Sequence, residues 1–157
     1  MRLRRFILVF LLFPFLFACD SKRLYEKNVD FEQKYWAVNN IPEFVFDVAD
    51  PTISYNIYFN VRNTLSFPYQ NLYVTYYLED STGNLLSSAL QNLVLFDKKT
   101  GAPLGKGLGD IFDHQIPVLS NYKFEQGGQY QLRVEQFMRT DTLSDVLSVG
   151  VRVEKAH

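Results

Sequence analysis

Cysteine and histidine are nearly missing from this chain, and no apolar run in it reaches the length of a membrane span. With a single cysteine, Cys19, among 157 residues, no disulfide can staple the fold and no thiolate cluster can hold zinc, so stability must come from a buried core. A chain of this size can build one. Of the two histidines, His114 and His157, the second is the last residue. No serine stands in a nucleophile-elbow sequence, so a triad would have to be built around His114 alone. These shortages argue for a protein that is not an enzyme and needs no cofactor. Asp110, Asp113 and His114 fall within five residues, but their spacing matches no ligand motif, and a solvated loop accounts for them without a metal. Sixteen Lys and Arg against seventeen Asp and Glu give a net charge of −1, with no basic surplus for nucleic acid. Phe6 to Phe17 is a stretch of twelve positions broken by Pro14, against the ~20 residues that cross a bilayer. Sustained helical spacing is also absent; 140–145 has room for a turn or two of helix at most.

What the N-terminus does have is a secretory signal with a particular ending. Arg2, Arg4 and Arg5 precede the apolar stretch, and Leu16-Phe17-Ala18-Cys19 closes it, followed by polar Asp20-Ser21-Lys22-Arg23. A small residue directly before a lone cysteine is where a lipoprotein signal peptidase cuts. The expectation is a signal peptide over 1–18 and lipid attachment at Cys19. Each buried methylene of the acyl chains, palmitate among them, holds the protein to a membrane with ~0.8 kcal/mol. Cleavage removes three basic residues and no acidic ones, which moves the net charge from −1 to −4. Residues 19–28 are charged and lack an apolar period, so they read as a tether, leaving 29–157 as one domain.

Within that domain the apolar period is two. Ile53, Tyr55, Ile57, Phe59 and Val61 point one way while Ser54, Asn56, Tyr58, Asn60 and Arg62 point the other, the pattern of a strand with one wet face. Phe44, Phe46 and Val48 repeat it, as do Tyr130, Leu132 and Val134, and then Leu147, Val149, Val151 and Val153. Tyr69 to Leu78, Leu93 to Phe96, Ile111 to Leu119 and Tyr122 to Glu125 read as further strands, with turns at 80–84, 97–101 and 126–128. Ten tyrosines, one tryptophan and nine phenylalanines remain after processing, residues that suit pleated, half-buried surfaces. The fold class that follows is all-β: a single antiparallel β-sandwich domain, with immunoglobulin-like and jelly-roll-like connections both open.

Chemical motifs are weak. Gly105-Lys106-Gly107-Leu108-Gly109 could cradle a phosphate, but it lacks the preceding strand and following helix that aim N–H groups at an anion, so it reads as turn chemistry. Paired carboxylates for glycosidase work could be drawn almost anywhere among seventeen acidic residues.

Three blocks taken together resemble the gliding-motility lipoprotein GldH family of Bacteroidota. The first is Tyr58-Phe59-Asn60-Val61-Arg62-Asn63-Thr64 with Phe67-Pro68-Tyr69-Gln70-Asn71-Leu72. The second is Gly105-Lys106-Gly107-Leu108-Gly109-Asp110-Ile111, and the third joins Gly128-Gln129-Tyr130, Gln136-Phe137-Met138-Arg139 and Val149-Gly150-Val151-Arg152-Val153-Glu154. The resemblance implies a non-enzymatic cell-envelope lipoprotein that supports gliding motility and the associated type IX secretion machinery through protein-protein contacts. Its partners would then be the membrane, through lipidated Cys19, and other envelope proteins of that apparatus. Asp20-Ser21-Lys22-Arg23 lacks the acidic run of surface-exported lipoproteins in this phylum, which favours the periplasmic face of the outer membrane. Arg62, Tyr69, Asp110 and Arg139 are the candidate contact residues. The competing expectation is a glycan- or small-molecule-binding lipoprotein, in which Tyr69, Tyr73 and Tyr77 would line a concave pocket.

Overall fold

The alternation that runs through 55–64 becomes a ten-residue strand whose odd-numbered side chains are buried from Tyr55 to Asn63. Around it the computed structural model, which describes residues 21–156, sets eleven strands in chain order. They are β1 (Arg23–Asp30), β2 (Tyr35–Ala37), β3 (Glu43–Val48), β4 (Tyr55–Thr64), β5 (Asn71–Asp80), β6 (Leu85–Val94), β7 (Lys106–Leu108), β8 (Ile111–Tyr122), β9 (Gly128–Gln136), β10 (Thr142–Ser144) and β11 (Val146–Lys155). No helix occurs among the described residues. Cys19 and the signal segment lie outside them.

One sheet has the order β1-β11-β4-β8-β7 and the other β3-β9-β5-β6, with β10 and β2 paired by themselves. Every ladder is antiparallel. Setting aside the three-residue strands, first pairs with last (β1 with β11), then β3 with β9, β4 with β8, and β5 with β6. The chain is therefore one long antiparallel ribbon folded at the Asp80–Asn84 turn and rolled into two layers. This is the jelly-roll order, and it settles which of the two open connection patterns the chain uses.

The core lies between the layers. Val149, Val151 and Val153 of β11 and Ile57 and Phe59 of β4 face Phe44, Phe46, Leu72, Val74, Leu78, Leu132 and Val134 of the other sheet. Aromatic edges bridge them: Phe59 meets Tyr76 with ring centroids 6.3 Å apart, and Tyr25 meets Phe46 at 5.7 Å. Trp36 plugs one end of the core, stacked on Phe31 at 5.5 Å and donating from Nε1 to the carbonyl of Asn40 at 2.7 Å.

Several expectations are corrected. Most of the presumed 19–28 tether is β1, paired with β11 from Arg23 opposite Glu154 to Asp30 opposite Ser148. An edge strand with one solvated face needs few apolar residues, and Tyr25 and Val29 suffice. The segment 140–145 holds the short strand β10, not a helical turn, and Lys106–Leu108 of the glycine-rich loop is strand β7. The two short strands expected over 111–125 are one, β8. A register shift between Val146 and Ser148 buries Val146 where alternation assigned Leu147.

Candidate interaction surface

Strand direction divides the connections between two ends. At one end lie the chain entry at residue 21, the turns 49–54, 81–84 and 123–127, and the close of β11. They are short and polar. Asp50 accepts from the Thr52 amide at 2.9 Å, and Asp80 accepts from the amides of Thr82 and Asn84 at 2.8 and 3.0 Å. The opposite end carries the connections 31–42, 65–70, 95–110 and 137–145, three of which are longer than any turn at the entry end.

All four candidate residues fall at this second end. Arg62 is two positions before the close of β4; Tyr69 is in the β4–β5 loop; Asp110 immediately precedes β8; Arg139 follows β9. The loops are tied together by backbone bonds, with the Leu65 amide donating to the Asp110 carbonyl at 2.7 Å. The Tyr69 ring stands edge-on to Phe67 at 5.8 Å. The four do not form one contacting cluster, and no hydrogen bond links any of them to another among the described residues. Arg139 is exposed, on the chain of the other sheet.

Around them is something the strand pattern did not single out. Leu65, Tyr69, Tyr73, Leu108, Ile111 and Phe137 are all solvent-exposed at or next to this end, with Leu108 at 91 %. The entry end shows no comparable group: Leu85 and Leu86, just past its 81–84 turn, are the exposed large apolar residues nearest it. Exposed large apolar residues gathered at one end of a fold make that end the candidate for an interaction surface. A clue existed in the sequence, since leucine between two glycines at 107–109 is an odd choice for a turn with no surface to meet.

Arg62 also belongs to the outer face of the first sheet, where the outward sides of its five strands lie in register. Asn28, Gly150, Asn60 and Gln115 form one cross-strand row, and Asp30, Ser148, Arg62, Asp113 and Lys106 form the next. Arg62 Nε donates to Asp113 Oδ1 at 2.7 Å, with the two side chains 46 % and 56 % exposed. Asn60 Nδ2 donates to Glu26 Oε1 at 2.9 Å, and Arg152 Nη1 to Glu26 Oε2 at 2.8 Å. Burial raises the Glu26 pKa, but hydrogen bonds from Arg23, Asn60 and Arg152 outweigh it and leave the carboxyl below its ordinary value. Gly150 is a notch in this face, filled by the Asn28 side chain.

The face ends in an open trough of about 570 Å³ between β8 and the 104–106 segment, lined in part by Asn60, Arg62, Lys106, Asp113 and Gln115. His114 reaches it from the inner side of β8. It is buried, its Nε2 has no partner, and burial lowers its pKa against the opposing pull of Asp113. Gly105 lies against it; a Cβ there would sit 2.9 Å from the imidazole. Asp113 and His114, neighbours in the chain, thus face opposite sides of a strand, and among the described residues no group of three or more His, Cys, Asp and Glu side chains is placed to hold a metal. Lys106–Leu108 is a strand with no helix after it, so the glycine-rich segment has no phosphate-cradle geometry.

The tyrosine test separates the two functional expectations. Tyr73 and Tyr77 alternate with buried residues along β5 and lie on the outer face of the second sheet. Neither they nor Tyr69 line the trough. The Tyr77 ring is covered by the Arg133 guanidinium at 5.0 Å, and its hydroxyl donates to Glu135 at 3.0 Å.

Comparison with known proteins agrees with the resemblance carried by the three blocks. The chain is 28 % identical over 158 residues to the gliding motility lipoprotein GldH homolog of Christiangramia forsetii, covering 96 % of this chain and 94 % of that protein. It is 25 % identical over 162 residues to the gliding motility lipoprotein GldH of Flavobacterium johnsoniae, covering 99 % of each. Among solved structures it is similar to the infectious bursal disease virus VP2 subviral particle, with 14 % identity and a TM-score of 0.36, and it spans 30 % of that chain. The sequence pattern of the GldH lipoprotein family matches residues 23–153, so the chain belongs to that family.

Proposed function

We propose that this protein is a non-enzymatic lipoprotein, acylated at Cys19 on the periplasmic face of the outer membrane, that contributes a docking surface to the gliding apparatus and its type IX secretion machinery. The observation that carries the reading is the position of the exposed apolar residues relative to the chain entry. Only three residues, Asp20 to Lys22, separate Cys19 from Arg23, and the four Cα steps between them span at most about 14 Å. The turn end of the sandwich therefore sits near the bilayer. β4 is ten residues long, which puts the loop end about 30 Å further out. Leu65, Tyr69, Leu108, Ile111 and Phe137 then face other envelope proteins, with Arg62, Asp110 and Arg139 as polar contacts among them. Apolar and aromatic anchors beside an arginine are the usual composition of an interface centre.

The test pairs Leu108→Glu with Arg62→Ala in the full chain, expressed in its own host. Both residues are exposed, and an exposed Arg–Asp pair is worth only about 0–1 kcal/mol, so melting stays within a few degrees of wild type. Co-purification of gliding or secretion components from membranes, and gliding or surface-protein secretion in those cells, are expected to fall. Wild-type recovery and wild-type motility in the double variant would reject the loop end as the working surface.

A further inference from the structure

Open sheets have edges, and among the described residues three of the four edges of the two large sheets carry devices that stop another strand from adding. β1 is charged at Arg23, Glu26, Lys27 and Asp30. β3 has only six residues, with Glu43 and Asp47 among them. β8 is covered at one end by β7, and beyond it carries Pro117, which has no N–H to offer. The fourth edge is different. β6 is Leu-Leu-Ser-Ser-Ala-Leu-Gln-Asn-Leu-Val, ten residues without a charge, a proline or a glycine. One side is paired with β5 from Asn71 opposite Val94 to Glu79 opposite Leu85. On the other side no backbone bond reaches 86–93 among the described residues. Its outward side chains also depart from the usual pattern, although Leu93 turns inward and is buried. Leu86, Leu90 and Val94 are 42 %, 52 % and 37 % exposed on the outer face, while Ser87, Ala89 and Gln91 turn inward.

We infer that β6 is a strand-addition site: an extended segment of an envelope partner, uncharged and apolar at alternate positions, pairs along Leu86 to Val94 and extends the β3-β9-β5-β6 sheet. Backbone N–H and C=O groups on the free edge define the ligand as extended chain. Leu86, Leu90 and Val94 select apolar side chains on one face of it, and the absence of charge removes any bias toward an acidic or basic segment. A second copy of this chain fits less well. Two β6 strands paired antiparallel point their chain-entry ends in opposite directions, about 30 Å apart along the strands. Three linker residues cannot then bring both Cys19 positions to one bilayer with both sandwiches standing on it. This inference rests on the envelope docking role proposed above and names a second surface for it, along the side of the sandwich.

The experiment places a photo-activated benzophenone residue at Ser88, Leu90 or Asn92, one at a time, in the full-length protein in native membranes, and maps the cross-linked sites by mass spectrometry. Strand addition predicts a register: each two-residue step along β6 moves the cross-link two residues along one partner segment, and Leu90→Lys reduces cross-linking at Ser88 and Asn92 at least fivefold without lowering the melting temperature. Cross-links between two copies of β6, cross-links to one partner without register, or none at all each overturn the inference. Leu108→Glu serves as the independent arm. If it abolishes motility while β6 shows no register, strand addition fails and the loop-end surface stands.

Discussion

Gly150 is the position where this packing makes its sharpest demand. It lies in β11 opposite Asn28, and a Cβ added to it would come 1.8 Å from Asn28 Oδ1 and 2.6 Å from the backbone carbonyl of Lys27. An asparagine side chain can swing away; a carbonyl oxygen held in the neighbouring strand cannot. Gly150→Ala therefore sets two effects against each other. Replacing glycine in a strand gains roughly 0.5–1 kcal/mol of backbone entropy, while forcing an extra methyl into a filled site costs roughly 1–3 kcal/mol. The clash with Lys27 O is below any ordinary contact distance, so the cost wins, for a net loss of about 1–2 kcal/mol. For a domain of this size that lowers the melting temperature by about 4–8 °C. The strain falls on β1, an edge strand, so hydrogen exchange at its amides should quicken more than at β4. Adding Asn28→Ala to Gly150→Ala removes the side-chain clash only, and should restore part of the loss. A Gly150→Ala protein as stable as wild type, with β1 exchange unchanged, would refute the claim that the two strands are in contact too close for a side chain.

Two further outcomes follow from the turns and the signal. Hydrogen bonds from the Thr82 hydroxyl and the Asn84 amide hold the Asp80 carboxyl at about 2, below its ordinary 3.8; with the folded value the lower one, its contribution to stability is complete above pH ~4 and lost as pH falls through about 2. Carboxyl resonances followed by NMR should put the Asp80 midpoint near 2, and a midpoint near 4 would show that the turn does not hold it. Cys19→Ala should abolish incorporation of a fatty-acid analogue, and undiminished labelling in that variant would remove Cys19 as the attachment site.

The sandwich was legible because its central strands obey a simple rule: β4 and β9 alternate almost without exception, and β11 keeps Val149, Val151 and Val153 buried as expected, although Val146 at the bulge and the outward-assigned Ser148 and Gly150 are buried as well. β1 was not legible because its polar face is paid for far away in the sequence. Glu26 meets Arg152 across 126 residues, and seen alone it is just one charge in a charged stretch. β6 over 85–92 was missed for the opposite reason, since leucines on its wet face and serines and glutamine on its inner face break the apolar period on which strand assignment depends. Arg62 stands in the sequence as a candidate contact residue, with nothing beside it to say what it pairs with. The structure pairs it with Asp113, 51 residues away and itself exposed, which leaves little for the pair to contribute to folding.

Rolling a ribbon explains why residues from distant blocks share one end. Each pairing places an early strand beside a late one, so the close of β4, the start of β8, the start of β11 and the close of β9 all arrive at the same edge of the two layers. The two ends are then free to differ. At the chain entry, turns fixed by Asp50 and Asp80 leave the backbone little latitude. At the far end, connections of six to sixteen residues can vary in length and side chain without disturbing the core, and binding surfaces tend to reside in loops of that kind. On the proposed reading the anchor lies at the end with the short turns and recognition at the end with the longer loops, where the exposed leucines and aromatics sit.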